Sequence, residues 1–254
     1  MEQGNEHRFL KSCALVIPCY NEAARLQSNV FIDFAHHYPN IHFVFVNDGS
    51  RDNTSTVLTA LAGQIPDQST VLDNAVNQGK AGVVRQGVLY AIDSLPAEVI
   101  GFWDADLATP LPTAVDMLQV LEANPTLWMI FGARVQLLGR HIDRKPYRHY
   151  LGRVFATCVS VLLKLPIYDT QCGAKIFRRT PPLRSLFEEP FVSRWIFDVE
   201  IIARFMRLPA GSSPRPEDAI YEYDLMSWKD VDGSKVKPLD FFKALGDLYR
   251  IFKR

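Results

Sequence analysis

With 254 residues, 48% of them apolar, the chain is long enough to bury a full core and lies at the upper end of what one domain holds. Twenty-eight Lys and Arg balance 28 Asp and Glu, and a chain without net charge is not built as a nucleic-acid coat. The charge is unevenly spread, however: residues 134 to 184 carry eleven Lys or Arg against Asp143 and Asp169, so that segment expects an anionic neighbour.

Short apolar runs and amphipathic stretches alternate along the first half. The run ALVIP from residue 14 predicts a strand, Glu22 to His37 a helix, IHFVFV a strand and Thr54 to Leu61 a helix. VLDN near residue 71, a helix from Lys80 to Ser94, the strand VIGFW at 99–103, a helix from Pro112 to Glu122 and the strand WMIFGA at 128–133 continue the rhythm. Such alternation predicts βαβ units and a mainly parallel sheet. No repeat or low-complexity tract interrupts it, and the loop-like PAGSSPRPED at 209–218 is too short to separate domains. The chain therefore reads as one domain with halves at 13–134 and 135–254.

Beyond residue 134 the spacing predicts a basic loop, an amphipathic helix from Tyr147 to Leu163 and two motif-rich segments, YDTQCGAKIFRR and SRWIFDVEIIARF. A final helix, PLDFFKALGDLYRIFKR, carries Leu239, Phe242, Leu245, Leu248, Tyr249 and Phe252 at helical spacing. Packing onto the core is favoured for this last helix over a place on a membrane surface. For the helix at 147–163, with Arg148, Arg153 and Lys164 around an apolar face, both readings stay open.

Cys13, Cys19, Cys158 and Cys172 show neither metal-ligand pairing nor the density of a disulfide framework, and read as buried thiols in a reducing compartment. The N-terminus MEQGNEHRFLKS lacks the apolar core of a signal peptide. The longest near-apolar run, Val154 to Leu163, falls well short of the about 20 residues of a membrane span. These features point to the cytoplasm.

In open α/β sheets, ligands sit at the carboxyl ends of the strands. Three such ends are polar: Pro18-Cys19-Tyr20-Asn21-Glu22, Asn47-Asp48-Gly49-Ser50-Arg51-Asp52, and Asp104-Ala105-Asp106. Crowding carboxylates at one edge is costly unless a cation or hydrogen-bond donors compensate. The alternating pair Asp104 and Asp106, directly after a buried strand, offers oxygen ligands to Mg²⁺ or Mn²⁺ while substrate phosphates fill the other positions. Asp48 is placed to accept from a base N–H, while Asp52, Asn53 or Thr54 in the same loop suit a helix cap. Asn77-Gln78-Gly79-Lys80-Ala81-Gly82 sets glycines and a lysine at a helix start, which suits a phosphorylated ligand, although its spacing is not that of a P-loop.

With these motifs in order, the chain resembles the inverting family 2 glycosyltransferases, and more narrowly the dolichyl- or polyprenyl-phosphate hexose synthases. VIPCYNE, VNDGSRDNT, NQGKAG and DADLATP match the broad family; DTQCGAKIF, RWIFDVE and WKDVDGSK match the dolichyl-phosphate β-glucosyltransferase branch and are the more specific. The resemblance runs from about Ala14 to Lys235. It implies a GT-A-like, Rossmann-like α/β fold: a mainly parallel sheet flanked by helices, with a C-terminal acceptor-side helical extension. Residues 13–134 would then bind the nucleotide sugar and 135–254 the acceptor. Pro18, Tyr20, Glu22 and Asp48 would hold the nucleoside with Lys80 nearby, Asp104 the ribose side, and Asp106 the metal-bridged diphosphate. Arg134, Lys235 and Lys229 would contact donor or acceptor phosphates, and Asp169, Gln171, Asp198 and Glu200 would lie near sugar and acceptor. Ala108 stands where the mannosyl branch has a glutamine that can bind the metal.

The implied partners are a nucleotide-sugar donor, with UDP-glucose foremost, and a lipid-phosphate acceptor met at the membrane periphery, with Mg²⁺ or Mn²⁺ as cofactor. The family includes members with membrane helices or anchors, and this sequence shows neither. If the acceptor is a hydroxyl, a carboxylate must take its proton; Asp198 is the first choice and Asp169 the second, each balanced against pairing with an arginine such as Arg194. A soluble transferase with a hydroxyl acceptor and a non-catalytic nucleotide-sugar-binding subunit remain as alternatives, the second disfavoured by the intact Asp48, Asp104, Asp106 and Lys235.

Overall fold

The computed structural model describes residues 11–143, 146–209, 211–230 and 238–253, with the backbone alone at 146–149, 238–242 and 245. In chain order the elements are β1 (Cys13–Cys19), α1 (Ser28–His37), β2 (Ile41–Asp48), α2 (Thr54–Ala62), β3 (Ser69–Asn74), α3 (Lys80–Ser94), β4 (Val99–Trp103), α4 (Pro112–Ala123) and β5 (Met129–Ala133). They continue with β6 (His141–Asp143), α5 (Pro146–Leu163), β7 (Ala174–Arg178), α6 (Leu183–Glu188), α7 (Phe197–Met206), α8 (Pro216–Ala219), β8 (Ile220–Asp224), β9 (Ser227–Lys229) and α9 (Pro238–Lys253).

Seven strands form one sheet in the order β3-β2-β1-β4-β7-β5-β8. The first four are parallel, β7 runs antiparallel between β4 and β5, and β8 lies parallel to β5. A parallel sheet is covered on both faces, so its strands read as unbroken apolar runs whose alternate side chains enter different cores. Here Val16, Val44, Val46, Ile100 and Phe102 pack with α3, α5, α6, α7 and α9. Leu15, Ile17, Phe43, Phe45 and Trp103 pack on the other side with α1, α2 and α4. α9 thus packs onto the core, through Leu248 and Ile251.

Two local expectations change. The helix expected from Glu22 begins only at Ser28. The amides at its expected start are drawn off by the loop before α2: Glu22 N donates to Thr54 Oγ1 at 2.8 Å and Ala23 N to Asp52 Oδ2 at 3.2 Å. The DTQCGAKIFRR segment supplies a central strand, β7, so the chain's second half completes the sheet begun by the first. Among the described residues no helix is long and apolar enough to cross a membrane.

Candidate active site

The carboxyl ends of β1, β2, β4 and β5 open on one edge, and β7, being antiparallel, brings its amino end there, with Trp103 opposite Ala174. At the end of β2, the buried Asp48 carboxylate accepts from Asn77 Nδ2 at 2.8 Å, Gln78 N at 2.6 Å and Gly79 N at 3.0 Å. It latches the loop that leads into α3. Gly79, at φ +81°, makes the turn into that helix, a conformation that disfavours any side chain. Lys80 follows at the first position of α3 and pairs with Asp104. Burial opposes the Lys80 charge, but Asp104, Asp198 and Asp106 outweigh it and raise the lysine's pKa.

Pro18 and Tyr20, at the end of β1, are half-buried, and Glu22 is buried and paired with Arg25 at 2.6 Å. Asp106 accepts from Ala108 N at 3.1 Å. Burial, with the charges of Asp104 and Glu22, raises the Asp106 carboxyl above its ordinary value, against the smaller pull of Ala108 N and Lys80. Leu107, between them, takes φ +53°, an uncommon conformation for such a side chain and a sign of strain at this turn. Lys229 is exposed, and its backbone N donates to Ala108 O at 3.1 Å, which fixes β9 against the same turn. A Cβ on Gly173 would overlap the Asp104 carboxylate, so only glycine admits that aspartate here. Among the described residues no group of three or more His, Cys, Asp or Glu is assembled. Two carboxylates in an excess of negative charge are nevertheless the donor set that Mg²⁺ or Mn²⁺ takes when phosphates supply the remaining oxygens.

Behind this turn Lys175, fully buried, stands 2.6 Å from Asp198 and donates to Cys172 O. Its ammonium also lies 5.4 Å and 5.3 Å from the ring centres of Phe102 and Phe131. Burial raises the Asp198 carboxyl, against the opposing pull of Lys175 and Lys80. Charges therefore alternate inward through Asp104, Lys80, Asp198 and Lys175. Glu200, two residues along α7 and so on the opposite face of the helix, is turned away from this array: it pairs with Arg204 and accepts from Val192 N, each at 2.8 Å.

Beside β5 a second polar centre forms. Arg134 grips Asp169 by two bonds, Nε to Oδ2 at 2.6 Å and Nη2 to Oδ1 at 2.8 Å, and its guanidinium lies 5.2 Å from the Trp228 ring centre. Burial works against the Arg134 charge, but Asp169 more than offsets it and raises the pKa. Arg153, from α5, lies over the Tyr168 ring at 3.6 Å and donates to Tyr168 O at 3.2 Å. Glu222 on β8 accepts from Tyr168 N and Asp169 N, at 2.8 and 2.7 Å. Arg134, Arg153, Tyr168 and Gln171 line a small cleft of about 40 Å³. In it the Gln171 Nε2 and Thr170 Oγ1 atoms are buried without a hydrogen-bond partner.

The edge thus gathers Asp48, Lys80, Asp104, Asp106, Asp198, Arg134 and Asp169. Lys235 lies outside the described residues. Asp198 and Asp169 are both ion-paired, with Lys175 and Arg134, and neither partner is Arg194, whose aliphatic stem packs beside Gly79. Sequence reasoning gave no site role to Lys175, Arg153 or Glu222. A lysine inside the apolar strand AKIF was the available signal, since a buried ammonium demands a counter-ion.

The model of Glycosyl transferase family 2 matches residues 14–182. The dolichyl-phosphate β-glucosyltransferase of Homo sapiens is 33% identical over 93% of this chain and 73% of its own length. A protein of that name from Trichomonas vaginalis is 30% identical over 93% of this chain and 69% of its own. Among solved structures, glucosyl-3-phosphoglycerate synthase from Mycobacterium tuberculosis, in complex with Mn²⁺, uridine-diphosphate and glucosyl-3-phosphoglycerate, superposes with a TM-score of 0.65. That match spans 96% of this chain and 80% of the synthase at 16% identity, a likeness of fold. The fold is the GT-A arrangement expected from the motifs.

Proposed function

The chain belongs to glycosyl transferase family 2, and on that premise we propose that it transfers glucose from UDP-glucose to a polyprenyl phosphate of the dolichyl type, with inversion at the anomeric carbon, at the periphery of a membrane. The observation that carries this reading is the state of the two carboxylates available as bases. Asp198 and Asp169 are both buried, and each sits 2.6 Å from a cationic partner. A hydroxyl acceptor needs a base to take its proton, whereas a lipid phosphate is already ionised at neutral pH and needs only positioning. Arg153, which lines the cleft beside Tyr168, suits such an anion. The relatives named as dolichyl-phosphate β-glucosyltransferases support the same acceptor and sugar.

On the donor side, the amino end of α3, with Lys80 at its first position, favours a phosphorylated ligand. Pro18, Tyr20 and Glu22 line the approach for the nucleoside, and Lys229, with Lys235, is assigned to phosphate contacts. Asp106, with Asp104, would hold Mg²⁺ or Mn²⁺, which when bound neutralises the departing diphosphate. Lys80 keeps Asp104 aimed at the edge, and direct in-line attack by the acceptor oxygen inverts the centre. The test is transfer of labelled glucose from UDP-glucose into an organic-extractable product with a short polyprenyl phosphate. A β-linked glucosyl lipid is expected; labelled glucose that stays in the aqueous phase would refute the acceptor.

A further inference from the structure

A buried donor without an acceptor destabilises a fold, and the cleft beside β5 holds two. Thr170 is 1% exposed. Among the described residues neither its Oγ1 nor the buried Nε2 of Gln171 meets a hydrogen-bond partner. The backbone that carries them is nevertheless pinned: Tyr168 N and Asp169 N donate to Glu222, and Gln171 N donates to Asp169 Oδ1 at 3.0 Å. The carboxylates behind the cleft are engaged, Asp169 by Arg134 and Glu222 by the two amides. Arg153, lining the same cleft, gives one N–H to Tyr168 O. What the side chains hold for a ligand is thus a hydroxyl, an amide NH₂ and a guanidinium. The cleft's volume, about 40 Å³, is room for about three water-sized groups, the scale of the terminal oxygens of a phosphate and too little for a hexose ring.

We infer that Thr170 and Gln171 select a phosphate at this cleft: the Thr170 hydroxyl and the Gln171 amide each donate to a non-reacting oxygen of the acceptor's phosphate, and Arg153 supplies the opposite charge. Another oxygen of the same phosphate stays free for attack. An alcohol, with one oxygen, cannot satisfy both donors and also react, so it leaves a buried donor unmatched and is rejected. The inference rests on the proposed acceptor and adds which side chains recognise it.

Thr170→Val and Gln171→Met keep the size of the side chain and remove one donor each, while the backbone bonds of the segment depend on neither side chain. Without ligand, each variant should unfold at a thermal midpoint equal to or above that of the wild type, because an unmatched polar group has left the interior. In transfer from UDP-glucose, KM for a short-chain polyprenyl phosphate should rise at least ~10-fold with KM for UDP-glucose unchanged, and Thr170→Ser should keep the wild-type KM for the acceptor. A lowered midpoint in both variants would mean that these groups are satisfied within the protein, and an unchanged acceptor KM that no phosphate meets them; either result overturns the inference. Thermal shift with inorganic phosphate and no donor separates the two claims. Stabilisation of the wild type that Thr170→Val abolishes, together with no glucose transfer to polyprenyl phosphate, would sink the proposed acceptor and leave the phosphate site standing.

Discussion

The Lys175 ammonium and the Asp198 carboxylate face each other at 2.6 Å, both buried, with Lys175 wholly removed from solvent. Removing one partner of such a pair strands the other charge, which costs about 3–5 kcal/mol, whereas replacing both by apolar groups is often neutral. Lys175→Met is therefore expected to lose stability on that scale in urea denaturation, and Lys175→Met/Asp198→Leu to recover most of it. A single variant as stable as the wild type would show that the pair is not formed.

The same pair bears on catalysis. Loss of a true general base costs roughly 10²–10⁴ in turnover. Asp198→Asn, assayed well below its thermal midpoint, is expected to fall short of that range with polyprenyl phosphate as acceptor. A loss of full size with an unchanged fold would return Asp198 to the role of base.

Gly173→Ala pushes a methyl group into the space of the Asp104 carboxylate. Displacements near 1 Å can cost 10²-fold in rate. A loss of about that size is expected in glucose transfer, with the circular dichroism spectrum unaltered. Wild-type activity in this variant would mean that Asp104 has freedom to move and need not be held where it stands.

Asp106→Ala and Asp48→Ala should differ in kind. The first removes an oxygen donor from the proposed metal site and should abolish turnover without unfolding the chain; undiminished activity of the wild type in excess EDTA would refute the metal's part. The second frees three donors of the loop at 77–79 and should cost about 1–3 kcal/mol of stability while raising KM for the donor more than it lowers kcat.

Glu222 supplies a pH test remote from the Asp104–Asp106 turn. Burial raises its carboxyl in the folded protein, against the opposing pull of the Asp169 and Tyr168 amides. A raised folded pKa gives stability that is complete below the unfolded value of about 4.3 and is lost as pH rises through the folded value. Glu222→Gln keeps an acceptor for those amides but does not titrate. The stability of wild type relative to this variant should therefore fall as pH climbs from about 4 toward neutrality. Denaturant midpoints that stay parallel across that range would contradict it.

Much of this was legible in the sequence because strand period and strand-end chemistry are local. VIGFW and the helix from Lys80 to Ser94 fall where the pattern sets them, and the acidic strand ends meet at one edge because parallel strands must share it. What was not legible depends on contacts distant in sequence. The start of α1 moves to Ser28 because Thr54 and Asp52 capture the preceding amides from about thirty residues away. The central place of β7 depends on pairing with β4 and β5, and the partners of Asp198 and Asp169 come from β7 and from the residue after β5, which no spacing rule links to them.

The most direct test of the account is release of uridine diphosphate from UDP-glucose, with Mg²⁺ or Mn²⁺, compared between a short polyprenyl phosphate and the matching polyprenol. An acceptor that brings its own charge predicts release with the phosphate and none above background with the alcohol. Equal release with both, or release from which the lipid can be omitted, would contradict it.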